Sequence, residues 1–197
     1  ANVYSEMVPW DTPASALSHL RVKAFILSGG PSSVYDPGAP TLPAYVINSG
    51  VPILGICYGM QLLTYTLGGR VEPSDEREYG HAILSLTEAA NPLFKGLPGS
   101  LPVWASHGDK VTQLPPGFRG IAQSDNAPVA VMTDGLKYFG ILFHPEVVHT
   151  PQGDALIRNF LFEVAGCRGD WTASNFVEES VDAIRKAVGD GQVICAL

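Results

Sequence analysis

The chain has 197 residues, a formal net charge of −7, 46% hydrophobic and 16% charged residues, and 37 glycines and prolines. That balance argues against an intrinsically disordered chain, and the acidic surplus without a basic patch argues against nucleic acid or an anionic membrane as partner. No apolar run approaches the roughly 20 residues of a bilayer span, no signal-peptide pattern opens the chain, and three scattered cysteines suit a reducing cytoplasm better than a disulfide scaffold.

Short apolar runs alternate with turn clusters. Residues 3–8 have strand character. Residues 24–27 form a second apolar run, stopped by Ser28-Gly29-Gly30-Pro31. Residues 52–56 read as a buried strand, followed by a helix over 61–67 that Gly68-Gly69 terminates. Strand, turn, helix and glycine in that order predict an α/β unit with a parallel sheet.

The texture then changes. Apolar runs at 82–86, 101–105, 120–122, 129–132 and 138–143, split by Pro/Gly turns, predict an antiparallel region joined to that sheet. Residues 154–165 predict a helix closed by Gly166. Residues 168–172 read as a linker. Ser174 and Asn175 are candidate N-caps for a helix over 176–188, with Glu178 and Glu179 in its first turn and Arg185 and Lys186 in its last. A further strand is expected over 192–197. A helix and strand after a linker predict the opening of a second domain, with the boundary at 167–170. The non-Met start and the apolar last residues predict an excerpt of a longer chain.

Four local patterns carry chemistry. In Gly55-Ile56-Cys57-Tyr58-Gly59 a nucleophile sits between glycines on a strand-to-helix turn. Small neighbours allow the sharp turn, the helix N-terminus favours a thiolate, and the next N–H can face an oxyanion. His144-Pro145-Glu146 follows an apolar strand, and its i, i+2 spacing puts an imidazole and a carboxylate on one face, as a base and its orienter. Ser28-Gly29-Gly30-Pro31-Ser32 could bring backbone donors to a ligand, but it lacks the lysine of a phosphate loop. Ser106-His107-Gly108-Asp109 could grip a zwitterion, with Asp109 meeting an ammonium group. Each pattern alone also fits an inert core cysteine, a capped strand end or a plain turn. A metal is not expected, since the histidines lack ligand spacing and His19, His81 and His149 read as ordinary surface or core residues.

Gly55-Ile56-Cys57-Tyr58-Gly59-Met60-Gln61 together with His144-Pro145-Glu146 resembles the class I (triad-type) glutamine amidotransferases, and the match covers most of residues 1–166. The resemblance implies a flavodoxin-like three-layer α/β fold with a mostly parallel central sheet and an added antiparallel strand region. It spans 1–167 with the family's first strand and helix missing. It implies a Cys57–His144–Glu146 triad, an oxyanion hole from the N–H groups of Gly30 and Tyr58, and glutamine binding by Gly55, Gln61, Ser106, His107 and Asp109. Ser106-His107-Gly108-Asp109, Glu78-Tyr79-Gly80 and Ser32-Val34-Tyr35 resemble the branch whose glutaminase is fused to an ATP-pyrophosphatase domain, and 168–197 resembles the start of that domain. That branch implies no cofactor in this chain, ATP and Mg²⁺ in the linked domain, ammonia delivered to adenylated XMP, and a homodimeric full-length enzyme. The alternatives are an amidotransferase of the anthranilate or aminodeoxychorismate synthase type, a Cys–His peptidase, or a non-catalytic fragment.

Overall fold

The computed structural model describes residues 1–192, apart from the side chains of residues 74–77, Ala173 and Glu179. The chain divides into two compact units, Val8–Gly166 and a smaller one made of Ala1–Met7 with the stretch from Cys167 onward.

The larger unit is built on one seven-stranded sheet among the described residues: β1 (Phe25–Leu27), β2 (Ile53–Ile56), β3 (Arg70–Leu86), β4 (Ser100–Gln113), β5 (Arg119–Gln123), β6 (Val131–Thr133) and β7 (Tyr138–Ile141). Its spatial order is β1-β2-β7-β6-β5-β3-β4. β2 is buried at every position, the continuous apolar pattern of a strand covered on both faces. It pairs in parallel with β1 on one side and β7 on the other. From β7 outward every pairing is antiparallel. The sheet is therefore mixed: the expected parallel part and the added antiparallel part are both present, and the antiparallel ladder takes the larger share. Ala105 of β4 bridges Phe143 just beyond β7, so the antiparallel half curls back onto the parallel half.

The helices are α1 (Ala44–Ile47), α2 (Tyr58–Thr66), α3 (Gly153–Asn159), continued by a wider π turn over Phe160–Val164, and α4 (Ala173–Val188). Alternation along β7 shows how the layers form. A side chain on Gly140 would strike Met60 of α2, whereas its neighbour Phe139 meets the Phe160 ring at 6.3 Å. Successive strand residues face opposite ways, so α2 covers one face and the α3 segment the other.

Several expected elements move. Residues 3–8 form no strand and are mostly exposed; in the smaller unit Asn2 accepts a hydrogen bond from Trp171 N–H, and Tyr4 meets the Trp171 ring at 5.8 Å. The runs at 82–86 and 101–105 are the ends of two much longer strands, whose charged stretches hid them. α2 begins at Tyr58, directly after Cys57. The N-cap of α4 is Thr172, whose hydroxyl accepts from Asn175 N–H at 3.1 Å, and this earlier start moves Glu178 and Glu179 out of the first turn. The short α1 carried no sequence signal. The strand expected at 192–197 lies outside the described residues.

Candidate active site

The carboxyl ends of the three parallel strands converge, the usual place for a ligand crevice in an open α/β sheet. β1 runs into Gly29 and Gly30, β2 into Cys57, and β7 into His144. An open cleft of about 650 Å³ lies there, with Cys57, His144, Gln61 and Ser106–Asp109 among its walls.

Cys57 occupies φ 50°, ψ −107°, one of two non-glycine residues at positive φ among those described. The backbone is held there by Cys57 N–H donating to Ile141 C=O at 2.8 Å and by Met60 and Gln61 N–H donating to Cys57 C=O. Such strain persists only where the surroundings enforce it, and it clusters at functional sites. The surroundings here are glycines. A Cβ on Gly55 would lie 2.5 Å from Gly59 backbone, and one on Gly59 would lie 2.2 Å from Leu27 carbonyl oxygen. Both glycines let the first turn of α2 press against β2 and β1. Gly55 therefore shapes the elbow and is not among the residues lining the cleft.

His144 Nδ1 lies 2.7 Å from Glu146 Oε1. A Cβ placed on Gly29 would lie 3.1 Å from His144 Cε1 and 3.6 Å from Cys57 Cβ, so these three residues are packed together. The His144 pKa is raised to about 9, first by its hydrogen bond with the Cys57 side chain, then by Glu146, against the opposing effect of burial. With Nδ1 engaged by Glu146, Nε2 is the nitrogen left to exchange a proton at the sulfur.

His144 is also fixed through its backbone. Its N–H donates to Trp104 C=O at 2.9 Å, while the Thr150 hydroxyl donates to His144 C=O at 2.6 Å and accepts Trp104 N–H at 3.0 Å. Thr150 is buried, and nothing in the sequence marked it. Beside it, Trp104 gathers His81 at 5.1 Å and His149 at 4.5 Å into an aromatic cluster.

The remaining expected residues lie as follows. Gly30 stands beside Tyr58: a Cβ on it would reach 3.8 Å from the Tyr58 ring, and the buried Tyr58 hydroxyl donates to Pro40 C=O at 2.6 Å. Burial, then Asp36, raises the Tyr58 pKa. The Cys57 thiol donates to Ser106 C=O at 3.5 Å. Gln61 Nε2 donates to Asp109 C=O at 3.1 Å, and Asp109 Oδ2 accepts the Ser33 hydroxyl at 2.8 Å. Ser33, Asp36 and the exposed Tyr79 also line the cleft and had no part in the expected site. His107 is buried in the wall, with Nε2 3.2 Å from Glu78 Oε2, and burial holds its pKa below the ordinary value. Among the described residues, no cluster of three His, Cys, Asp or Glu side chains could hold a metal ion, and no helix is long and apolar enough to cross a membrane.

Residues 1–164 match the family model for class-I glutamine amidotransferases. The chain is 56% identical over 197 residues to a glutamine-hydrolysing GMP synthase of Thermomicrobium roseum, and 52% identical over 196 residues to one of Dehalococcoides mccartyi. Both alignments cover 100% of this chain and 37% of the relative, so the chain spans little more than a third of their length. Among solved structures, a GMP synthase subunit from Thermoplasma acidophilum superposes with a TM-score of 0.69 at 28% identity, covering 89% of this chain and 84% of that one. A Thermotoga maritima glutamine amidotransferase shares the fold, with a TM-score of 0.57 at 21% identity, over 90% of this chain and 75% of its own.

Proposed function

The chain belongs to the class-I glutamine amidotransferase family, and from that premise we propose that it is the glutaminase part of a GMP synthase. The observation that supports this best is the joint placement of a strained Cys57, the His144–Glu146 pair and a cleft lined by Gln61, Ser106 and Asp109.

Cys57 Sγ attacks the side-chain amide carbon of glutamine, forming a C–S bond and an oxyanion that the N–H groups of Gly30 and Tyr58 stabilise. One such donor is typically worth roughly 3–4 kcal/mol in a transition state. His144, carrying a proton near neutral pH, gives it to the departing nitrogen; the C–N bond breaks and ammonia leaves. His144, now neutral, takes a proton from water, whose oxygen attacks the thioester; the C–S bond breaks, releasing glutamate and restoring the sulfur. Glu146 holds Nδ1 so that Nε2 faces the reaction. Asp109 receives the α-ammonium group of glutamine, while Gln61 fixes the Asp109 backbone and His107 forms the wall behind it.

We further propose that a linked ATP-pyrophosphatase domain opens near residues 167–170, in which ATP and Mg²⁺ activate XMP and the ammonia converts it to GMP; the chain's 37% share of its GMP synthase relatives supports a further linked stretch. No step in the present chain uses a cofactor. The full-length enzyme is proposed to act as a cytoplasmic homodimer.

Cys57→Ala in the full-length polypeptide tests the assignment. Glutamine-dependent GMP formation is expected to vanish while ammonia-dependent formation continues. Retained glutamine use would overturn the role of Cys57, and absence of GMP formation from ammonia in the wild type would overturn the GMP synthase assignment.

A further inference from the structure

The wall of the cleft hides a polar chain that the reaction above does not use. Glu78, on β3, faces His107, on β4, across the ladder, and its Oε2 lies 3.2 Å from His107 Nε2. The Ser124 hydroxyl lies 3.2 and 3.1 Å from the two Glu78 oxygens and itself accepts Ala127 N–H at 3.2 Å. The side chains of His107 and Glu78 are 2% and 11% exposed. Around them a small internal cavity of about 10 Å³ is otherwise walled by apolar side chains, including Ala82, Leu84, Val103 and Leu142.

A carboxylate and an imidazole in apolar surroundings are not explained by stability. Desolvation offsets the attraction of a buried pair, and an apolar replacement of similar volume is often neutral or stabilising. The register of the ladder supplies a reason for the pair. Pro73 pairs with Asp109 and Glu78 pairs with His107, so β3 advances five residues while β4 advances two. The register thus shifts beside Gly108, in the middle of the segment whose carbonyls receive the Cys57 thiol and the Gln61 amide. The Glu78–His107 pair sits at the edge of this register shift, two residues from Asp109, and so lies where it can restrain the segment.

We propose that Glu78 is a positioning residue for the glutamine site: its carboxylate, steadied by Ser124, holds the His107 ring and thereby keeps Ser106–Asp109 in place against Cys57 and Gln61. This rests on the reading of the cleft as the glutamine site. Burial favours a neutral His107, which then donates Nε2–H to the carboxylate.

The full-length polypeptide carrying Glu78→Leu, Glu78→Gln or Ser124→Ala tests it. Glu78→Leu removes the acceptor and strands the buried His107 N–H, so melting temperature is expected to fall by about a few degrees while KM for glutamine rises about tenfold or more, the usual scale for a lost buried hydrogen bond to a charged group. Glu78→Gln keeps an acceptor oxygen and is expected to stay within about threefold of wild type, and Ser124→Ala to rise about threefold. Alkylation of Cys57 by iodoacetamide is expected to change less than about twofold, because the elbow is untouched. A folded Glu78→Leu with wild-type KM overturns the proposal, as does a Glu78→Gln as impaired as Glu78→Leu. If Glu78→Leu does not fold, an unchanged KM in Ser124→Ala overturns it instead. Labelling histidines with ¹⁵N reads the His107 tautomer without turnover. The Nε2–H form is expected in wild type and Glu78→Gln and a mixture in Glu78→Leu or Ser124→Ala; one tautomer throughout overturns the proposal even if the wild type proved not to hydrolyse glutamine, an outcome that would separately sink the proposed function.

Discussion

The Thr150 hydroxyl donates to the His144 carbonyl at 2.6 Å while accepting the Trp104 amide at 3.0 Å, tying His144 to a strand 46 positions away from the threonine. One small side chain thus locks the turn after β7 to β4. Thr150→Val keeps the shape and removes both bonds, leaving a buried amide and carbonyl each short of a partner. Each orphaned group costs about 1–3 kcal/mol. The expected result is a lower melting temperature together with a fall in kcat for glutamine of about tenfold, at nearly unchanged KM. Thr150→Ser, which retains both bonds, is expected to recover most of the kcat.

Cys57, His144 and Glu146 were legible because each lies in a pattern that is local. Two glycines bracket the cysteine, and a proline spaces the His–Glu pair on an extended segment. The parallel strands were legible for the same reason, being short continuous apolar runs. Thr150 and Glu78 act only through β4, and no spacing along the chain shows a contact that the curl of the sheet creates. The full reach of β3 and β4 was hidden too: charged residues such as Glu72, Asp109 and Lys110 break up the apolar runs, and Gly80, at φ 114°, and Pro102 look like punctuation while lying inside a ladder. Gly55 was expected at the substrate, and its tight packing on Gly59 backbone supplies a second reason for a glycine there, since a required glycine looks the same in sequence whether a substrate or a helix approaches it.

The His144 pKa near 9 gives a pH dependence of definite sign. Its pKa is raised above the ordinary value of 6.5, so its contribution to stability is complete below about 6.5 and fades as pH rises toward 9. The protonated imidazole that the leaving nitrogen needs is lost over the same upper range. The alkaline limb of kcat/KM for glutamine is expected near pH 9. Glu146→Gln removes one of the interactions that raise this pKa, so that limb is expected to move to lower pH, with kcat reduced. A limb that stays in place in Glu146→Gln would show that His144 does not set it.

The two glycines flanking Cys57 make a stability prediction with a built-in control. Gly59→Ala would place a methyl group 2.2 Å from the Leu27 oxygen, which is backbone and cannot swing aside. Gly55→Ala meets Gly59 backbone at 2.5 Å. Overpacking of this kind costs typically about 1–3 kcal/mol and can exceed that where backbone must move. Both variants are expected to melt well below wild type. Gly99→Ala, where nothing lies within 4 Å and φ is not in the left-handed region, is expected to melt within about one degree or two of wild type.

Asp109 is held from two sides, its carboxylate by the Ser33 hydroxyl and its carbonyl by Gln61. Its carboxylate is therefore already oriented toward the cleft before an ammonium group arrives. Asp109→Asn keeps the shape and an acceptor for Ser33 but removes the charge. A charge-assisted hydrogen bond is roughly twice as strong as a neutral one, so KM for glutamine is expected to rise by about tenfold or more with little effect on Cys57 alkylation. An unchanged KM would leave Asp109 a purely structural residue of β4.

The strain at Cys57 can be measured apart from its chemistry. Cys57→Ala and Cys57→Gly both remove the sulfur and both are expected to abolish glutamine hydrolysis. They differ in the backbone: alanine still carries a Cβ at φ 50°, ψ −107°, whereas glycine occupies that region without steric cost. A non-glycine residue in such a region carries about 1–3 kcal/mol of strain. Glycine recovers that but lowers stability by about 0.4–1 kcal/mol through the freer unfolded chain. The difference leaves Cys57→Gly more stable than Cys57→Ala by about 1 kcal/mol in denaturant titrations. If alanine proves the more stable, the elbow is relaxed, and the position of the sulfur owes nothing to stored strain.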